Sequence, residues 1–228
     1  STDEMKALER HAVEKYGVSL ESMMQKAGKA VFDVVMEEVI KNDRDARVLV
    51  VSGKGNNGGD ALVTARLLNE AGINTDVFLP YRDDELSVMA KKELDGVGQL
   101  EISVHQKFDW PIELSEYSLI IDALFGFSLT GDPYAKEAHI IEQINCSQIP
   151  VLSVDVPSGL DAHNGRAGNP TVIANCTVTL GMPKKGLEKN YEVVGKLFIG
   201  DIGIPQQAYR DKGYESPLFR GKSALSVN

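Results

Sequence analysis

The chain predicts an α/β domain: a mostly parallel central sheet clad by helices on both faces, with a helical arm ahead of it. Three observations carry that prediction. From residue 47 onward, apolar strand-like runs alternate with helical patterns, the order that builds parallel sheets. Runs such as Ser118-Leu119-Ile120-Ile121 and Val151-Leu152-Ser153-Val154 lack the alternation of a half-exposed strand, as strands buried on both sides require. Two of these strands end in an aspartate, Asp122 and Asp155, each opening a glycine-containing loop, and ligands of open α/β sheets sit beyond the strand carboxyl ends.

The elements follow in order. Ser1-Thr2-Asp3-Glu4 has the form of a capping box before Met5, Leu8, Ala12 and Val13, which recur at helical spacing until Gly17. Ser19 or Ser22 caps a second helix whose Met23, Met24, Ala27, Ala30, Val31, Val34, Val35 and Val39 face a core. Its methionines read as packing. Its small residues Ala27, Gly28 and Ala30 suit close backbone approach, either within the chain or across a subunit interface. Strands are expected near 47–52, 75–80, 100–104, 118–122 and 150–155, and helices near 59–71, 84–96 and 135–146. Cys176 to Leu180 and Lys196 to Ile202 extend the sheet without clear helices between them. No linker, repeat or low-complexity tract divides the chain, so residues 1–228 read as one domain, with a core to about 203 and a polar tail or connector over 204–228.

Composition narrows the class of partner. A net charge of −9 and a pI near 5.0 set the overall field against nucleic acid and anionic membrane surfaces, which leaves small ligands or neutral partners. Neither a signal peptide nor a membrane-length apolar run is visible, so a cytoplasmic location is expected, or an organelle matrix if a targeting segment has been removed. Cys146 and Cys176 stand apart with no C-x-x-C and read as reduced structural residues. His11, His105, His139 and His163 are scattered, so no zinc constellation can be argued; His163 sits in a glycine-rich loop and reads as solvated.

Gly53-Lys54-Gly55-Asn56-Asn57-Gly58-Gly59-Asp60 joins an apolar strand to a helix, the place where backbone N–H groups hold phosphate. Gly53, Gly55 and Gly58 satisfy G-x-G-x-x-G, yet the acid expected about 20 positions on, which would hold a ribose, is replaced by a late Tyr81-Arg82-Asp83-Asp84. No Gly-Lys-Ser/Thr follows, which excludes a Walker A loop. The paired asparagines suggest a further polar ligand; a plain strand-to-helix turn is the alternative. Asn56, Asn57, Asp122 and Asp155 are expected to converge on one crevice, where two carboxylates leaving a buried sheet need a cation or a shared proton. Asn57, Asp122 and Ser158 offer only oxygen, which suits a hard cation. Gly126-Phe127-Ser128-Leu129-Thr130-Gly131-Asp132 offers hydroxyls and backbone donors to the same ligand. Lys184 and Lys185, after Gly181-Met182-Pro183, offer positive charge near that ligand, with solvation as loop lysines the default reading.

Gly55-Asn56-Asn57-Gly58-Gly59-Asp60, Asp122-Ala123-Leu124-Phe125-Gly126-Phe127, Val154-Asp155-Val156-Pro157-Ser158-Gly159 and Thr179-Leu180-Gly181-Met182-Pro183-Lys184 together resemble the YjeF N-terminal domain family of NAD(P)H-hydrate epimerases. The likeness runs to about residue 203 and departs at Ala61, where the family usually has glycine. It implies a Rossmann-like three-layer α/β/α sandwich, often a homodimer, that interconverts the R and S forms of hydrated NAD(P)H by loss and re-addition of the C6 hydroxyl. Carried over, the substrate would be held by Asn56, Asn57, Gly58, Gly59 and Asp60, by Gly126 to Asp132, and by Asp155. One potassium ion (K+) per subunit would be bound by Asn57, Asp122 and Ser158. Asp155 is the expected proton-transfer residue. The dinucleotide NAD(P)HX would be substrate, not cofactor, and an NAD(P)HX dehydratase, fused or separate, is an expected partner. A non-catalytic nucleotide-binding or dimeric scaffold module of the same fold is the alternative. An NAD-dependent oxidoreductase is disfavoured by the missing ribose acid.

Overall fold

The computed structural model describes residues 2–41, 43–106, 113–129 and 131–227. Ser1, and with it the first member of the expected capping box, lies outside them. Helix α1 (Thr2–Tyr16) buries Met5, Leu8 and Ala12 along one face and ends at Gly17, whose φ of +67 is the left-handed stop expected of glycine. Helix α2 (Leu20–Val34) starts at Ser19, whose Oγ accepts from the Ser22 N–H at 3.0 Å. Its small residues serve packing inside the chain. A Cβ on Gly28 would lie 2.4 Å from Val63 Cγ1, so only glycine lets α2 close onto helix α3 (Asn56–Glu70).

Strand β1 (Arg47–Ser52) precedes α3; β2 (Asn74–Phe78), α4 (Val88–Val97), β3 (Ser103–His105), β4 (Leu119–Ala123), α5 (Ala135–Cys146) and β5 (Val151–Val154) follow. The sheet continues through β6 (Cys176–Leu180) and β7 (Lys196–Gly200), with a one-turn helix α6 (Tyr191–Val194) between them that the sequence did not announce. With a last strand, β8 (Ala224–Ser226), the order is β3-β2-β1-β4-β5-β6-β7-β8, parallel throughout except the last pair. The chain winds outward from β1 to β3, then returns to β4 on the other side of β1. The topological switch point therefore lies between β1 and β4, where such sheets open a crevice at their carboxyl ends. Register aligns the tips: Val51 pairs with Asp122, Ser52 with Ala123, and Asp122 with Ser153.

Residues read as a tail are part of the fold. Helix α7 (Gln206–Asp211) docks on α1: Asp211 Oδ2 accepts from Lys15 at 2.6 Å, from the Tyr16 hydroxyl at 2.7 Å and lies 2.9 Å from His11 Nε2. Strand β8 (Ala224–Ser226) pairs antiparallel with β7 and covers that edge of the sheet. Three residues flanked by polar sequence give a period too short to read, which is why the strand escapes sequence analysis. A main core spans the sheet, α1, α2 and α3, and a smaller apolar cluster of Val156, Leu160, Ala162, Leu187, Val194 and Leu197 braces the loops after β5 and β6.

Candidate active site

The turn after β1 is tighter than a simple phosphate loop. A Cβ on Gly53 would fall 2.1 Å from the Leu124 carbonyl oxygen, so its glycine lets the exits of β1 and β4 cross in contact. Helix α3 begins at Asn56, three residues earlier than the periodicity predicts, with Gly55 as N-cap. Its first-turn N–H groups, unpaired within the helix, and its positive dipole end point out of the sheet's carboxyl edge. The α4 cap holds the loop in place: the Ser87 N–H donates to Lys54 O at 2.8 Å and the Ser87 hydroxyl to Asn56 Oδ1 at 3.0 Å.

Asp122, expected at the crevice, is instead sealed one layer beneath it, with no exposed surface. Both of its oxygens are taken. The Ser153 hydroxyl donates to Oδ2 at 2.8 Å, the Ser158 N–H to Oδ2 at 2.9 Å, the Ser158 hydroxyl to Oδ1 at 2.6 Å and the Leu124 N–H to Oδ1 at 3.3 Å. Burial pushes this carboxyl above its ordinary value, and the hydrogen bonds from Ser158, Ser153 and Leu124 oppose that without cancelling it. Ser158 in turn accepts from the Phe125 N–H at 2.9 Å, and Asn57 Nδ2 donates to Phe125 O at 3.0 Å and Val154 O at 3.2 Å. Asn57, Asp122 and Ser158 thus belong to one network centred on Phe125. Asn57 Oδ1 is buried in it with no hydrogen-bond partner.

Asp155 borders the cavity that Asp122 does not. Its φ of +70 is the left-handed region, uncommon outside glycine though tolerated by aspartate, and such strain persists only where the surroundings enforce it. The enforcement is visible. Phe127 N–H donates to Oδ2 at 3.1 Å, Leu180 N–H to Oδ1 at 3.3 Å, and the Lys184 ammonium pairs with Oδ1 while also donating to Leu180 O at 2.6 Å. Lys184, read from sequence as solvated, is 1% exposed. A buried lysine needs a counter-charge, and Asp155 supplies it. The Phe127 ring lies between two cations, 5.6 Å from Lys184 Nζ and 5.7 Å from Lys6 Nζ.

The cavity holds about 480 Å³. Of the residues expected to hold substrate, Asn56, Asn57, Asp60, Gly126, Phe127, Ser128 and Asp155 line it. Gly58 and Gly59 are buried in the first turn of α3, and Asp132 pairs with Arg166 at 2.8 Å. Leu129 and Gly131 belong to the same loop outside the cavity wall, and Thr130 lies outside the described residues. Met23 and Met24, besides packing, form part of the wall. Sequence reasoning missed the contribution of the helical arm, Lys6 and Glu9 from α1. Their one signal is position, on the margin of a helix face carried by Met5, Leu8 and Ala12. Burial first, then Asp155 and Glu9, push the Asp60 carboxyl well above its ordinary value against the pull of Lys184. Among the described residues no cluster of three or more His, Cys, Asp or Glu is arranged to hold a metal, and no helix is long and apolar enough to cross a membrane.

Residues 20–186 match the model of the YjeF-related protein N-terminus family. An NAD(P)H-hydrate epimerase of Dehalogenimonas lykanthroporepellens is 34% identical over 222 residues, covering 95% of this chain and 88% of its own. One from Entamoeba histolytica is 36% identical over 204 residues, covering 87% and 85%. The bifunctional NAD(P)H-hydrate repair enzyme Nnr of Moorella thermoacetica is 36% identical over 226 residues, and this chain spans 42% of its length. The crystal structure of yeast ynu0 superposes with a TM-score of 0.88 at 27% identity, covering all of this chain and 98% of the yeast one. The chain belongs to the YjeF-related N-terminal family.

Proposed function

We propose that this chain is an isomerase that interconverts the R and S forms of hydrated NADH or NADPH in the repair of damaged nicotinamide cofactor. The observation that carries the reading is the strained, ion-paired Asp155 at the wall of a cavity that also receives the first turn of α3. A diphosphate suits the helix N-terminus, and the reacting ring then reaches Asp155. In the hydrate, C6 bears a hydroxyl beside the ring nitrogen. The nitrogen lone pair forms a C=N bond as the C6–O bond breaks, leaving a planar iminium that water re-enters from either face. Asp155 exchanges the proton with the oxygen that enters or leaves on its own face of the ring, and its charge stabilises the cation between the two steps. Lys184 orients the Asp155 carboxylate and compensates it when the cavity is empty. A hydride acceptor is not required, because substrate and product are at one oxidation level.

A hard monovalent cation, potassium in this reading, fits the network of Asn57, Asp122 and Ser158. The orphaned Asn57 Oδ1 is an acceptor in need of a positive partner, and the Asp122 and Ser158 oxygens would join it if the ion displaced the hydrogen bond between them. Bound there, the ion would supply fixed positive charge beneath the loops that meet the diphosphate. We further infer a homodimer and a functional link to an NAD(P)HX dehydratase, fused or separate. The reaction test is direct: one purified hydrate epimer is supplied and the other is followed by chromatography, with and without potassium. Interconversion well above the spontaneous rate is expected. A rate equal to the spontaneous one overturns the reading.

A further inference from the structure

Epimerisation by water loss and return has a geometric demand that Asp155 alone does not meet, because the hydroxyl leaves one face of the ring and water arrives on the other. Two proton-handling groups are needed. Glu9 lines the same cavity but enters from α1, whereas Asp155 enters from the tip of β5. Lys6, one turn before Glu9 on the same face of α1, lies against the ring of Phe127, the residue whose backbone N–H holds Asp155, which brings Glu9 into this cluster. No hydrogen bond or ion pair engages the Glu9 carboxyl among the described residues, so it is free to turn to a ligand. We propose, resting on the reading of the site above, that Glu9 is the second catalytic residue: as an acid it protonates the departing C6 hydroxyl, while Asp155 takes the proton of the incoming water.

The surroundings suit that role. Burial raises the Glu9 carboxyl above its ordinary value, Lys184 and Lys6 oppose this, and Asp155 adds to it. Asp60 on α3 and Tyr209 on α7 also face it. The atoms balance. Glu9 gives a proton to the C6 oxygen, the C–O pair stays on oxygen as water departs, and the nitrogen pair closes C=N. Water then bonds to C6, the C=N π pair returns to nitrogen, and Asp155 accepts the released proton. Glu9 is left ionised and Asp155 protonated, which is the state that starts the reverse reaction.

The test compares wild type, Glu9→Gln, Glu9→Asp and Asp60→Asn, each assayed from either epimer between about pH 5 and 9, the range where raised carboxyls and histidines titrate. Glu9→Gln should lower kcat by about 100-fold or more with little change in KM, the loss typical of a removed acid. From the epimer whose hydroxyl Glu9 protonates, wild-type kcat should fall as pH rises through the Glu9 titration; Glu9→Gln should lose this limb and Glu9→Asp keep it. An unchanged kcat and pH profile in Glu9→Gln, or an effect on KM alone, overturns the proposal. Loss of the limb in Asp60→Asn, with Glu9→Gln retaining it, also overturns it. Should Glu9→Gln not fold, carboxyl NMR of the wild type decides: titration of Glu9 at or below the usual carboxylate range sinks the idea. A wild type that does not interconvert the epimers removes the function itself, and this role with it; activity with an indifferent Glu9 removes the role alone.

Discussion

The tips of β4 and β5 look alike in sequence and are built for opposite ends. Each is an apolar run closed by aspartate and followed by a glycine loop. Asp122 folds inward, entirely enclosed, and is held by four neutral donors. Asp155 turns through a left-handed backbone to a cavity wall and is matched by a full positive charge. The difference shows that a strand-end acid becomes a reaction site or a structural clamp according to its partner. Neutral donors on every lone pair fix an acid in place. A lysine with two backbone N–H groups orients Asp155 while its edge still borders the cavity and a ligand.

The largest expected effect tests the Asp155 side of that contrast. Asp155→Asn should lower the rate of epimer interconversion by about 100- to 10,000-fold, measured as kcat, since a positioned proton carrier is lost. Turnover close to wild type would assign the proton step elsewhere. Lys184→Met should cost about 3–5 kcal/mol in urea unfolding, the usual loss when one partner of a buried pair is removed; a change below about 1 kcal/mol would mean that Asp155 does not depend on it. On the Asp122 side, Ser158→Ala removes a hydroxyl that donates to a buried carboxylate and accepts from Phe125, and should cost about 2 kcal/mol by the same measurement.

Smaller effects follow from pH. Asp60 is raised, so the folded state holds its proton longer than the unfolded chain does. The stability it contributes is present below its ordinary value of 3.8 and is lost as pH rises through its higher folded value. Unfolding free energy should therefore decline with rising pH in that window, by at most about 1.4 kcal/mol per pH unit, and Asp60→Asn should flatten the decline. Asp211 behaves oppositely. Lys15, then His11 and Tyr16, hold its carboxyl far below the ordinary range, so its stabilisation is present above pH 3.8 and fades in stronger acid. Asp211→Asn should lower Tm slightly at neutral pH, with the gap to wild type closing as the solution is acidified.

The sheet was legible because continuous apolar runs have few other uses, and the acids at its carboxyl tips were legible because topology assigns ligands to that edge. The oxygen set of Asn57, Asp122 and Ser158 was recoverable from residue type, whereas the depth of Asp122 was not. Depth depends on whether neighbouring loops carry donors, and the Ser153 and Ser158 hydroxyls give no local signal of their direction. Lys184 was misread for a similar reason: its burial comes from an acid 29 positions earlier, a long-range pairing with no sequence period. Glu9 was overlooked because a glutamate at the edge of an amphipathic helix looks solvated until another element closes over it.

The docking of α7 on α1 gives the carboxyl-terminal stretch a remote hold on the chemistry. Through Asp211 it steadies the very helix that presents Lys6 and Glu9, so removing residues 206–227 would loosen the roof over the pocket without touching its floor. The same cut would bare the outer margin of β7, and the shortened protein should pair sheet to sheet with its own copies.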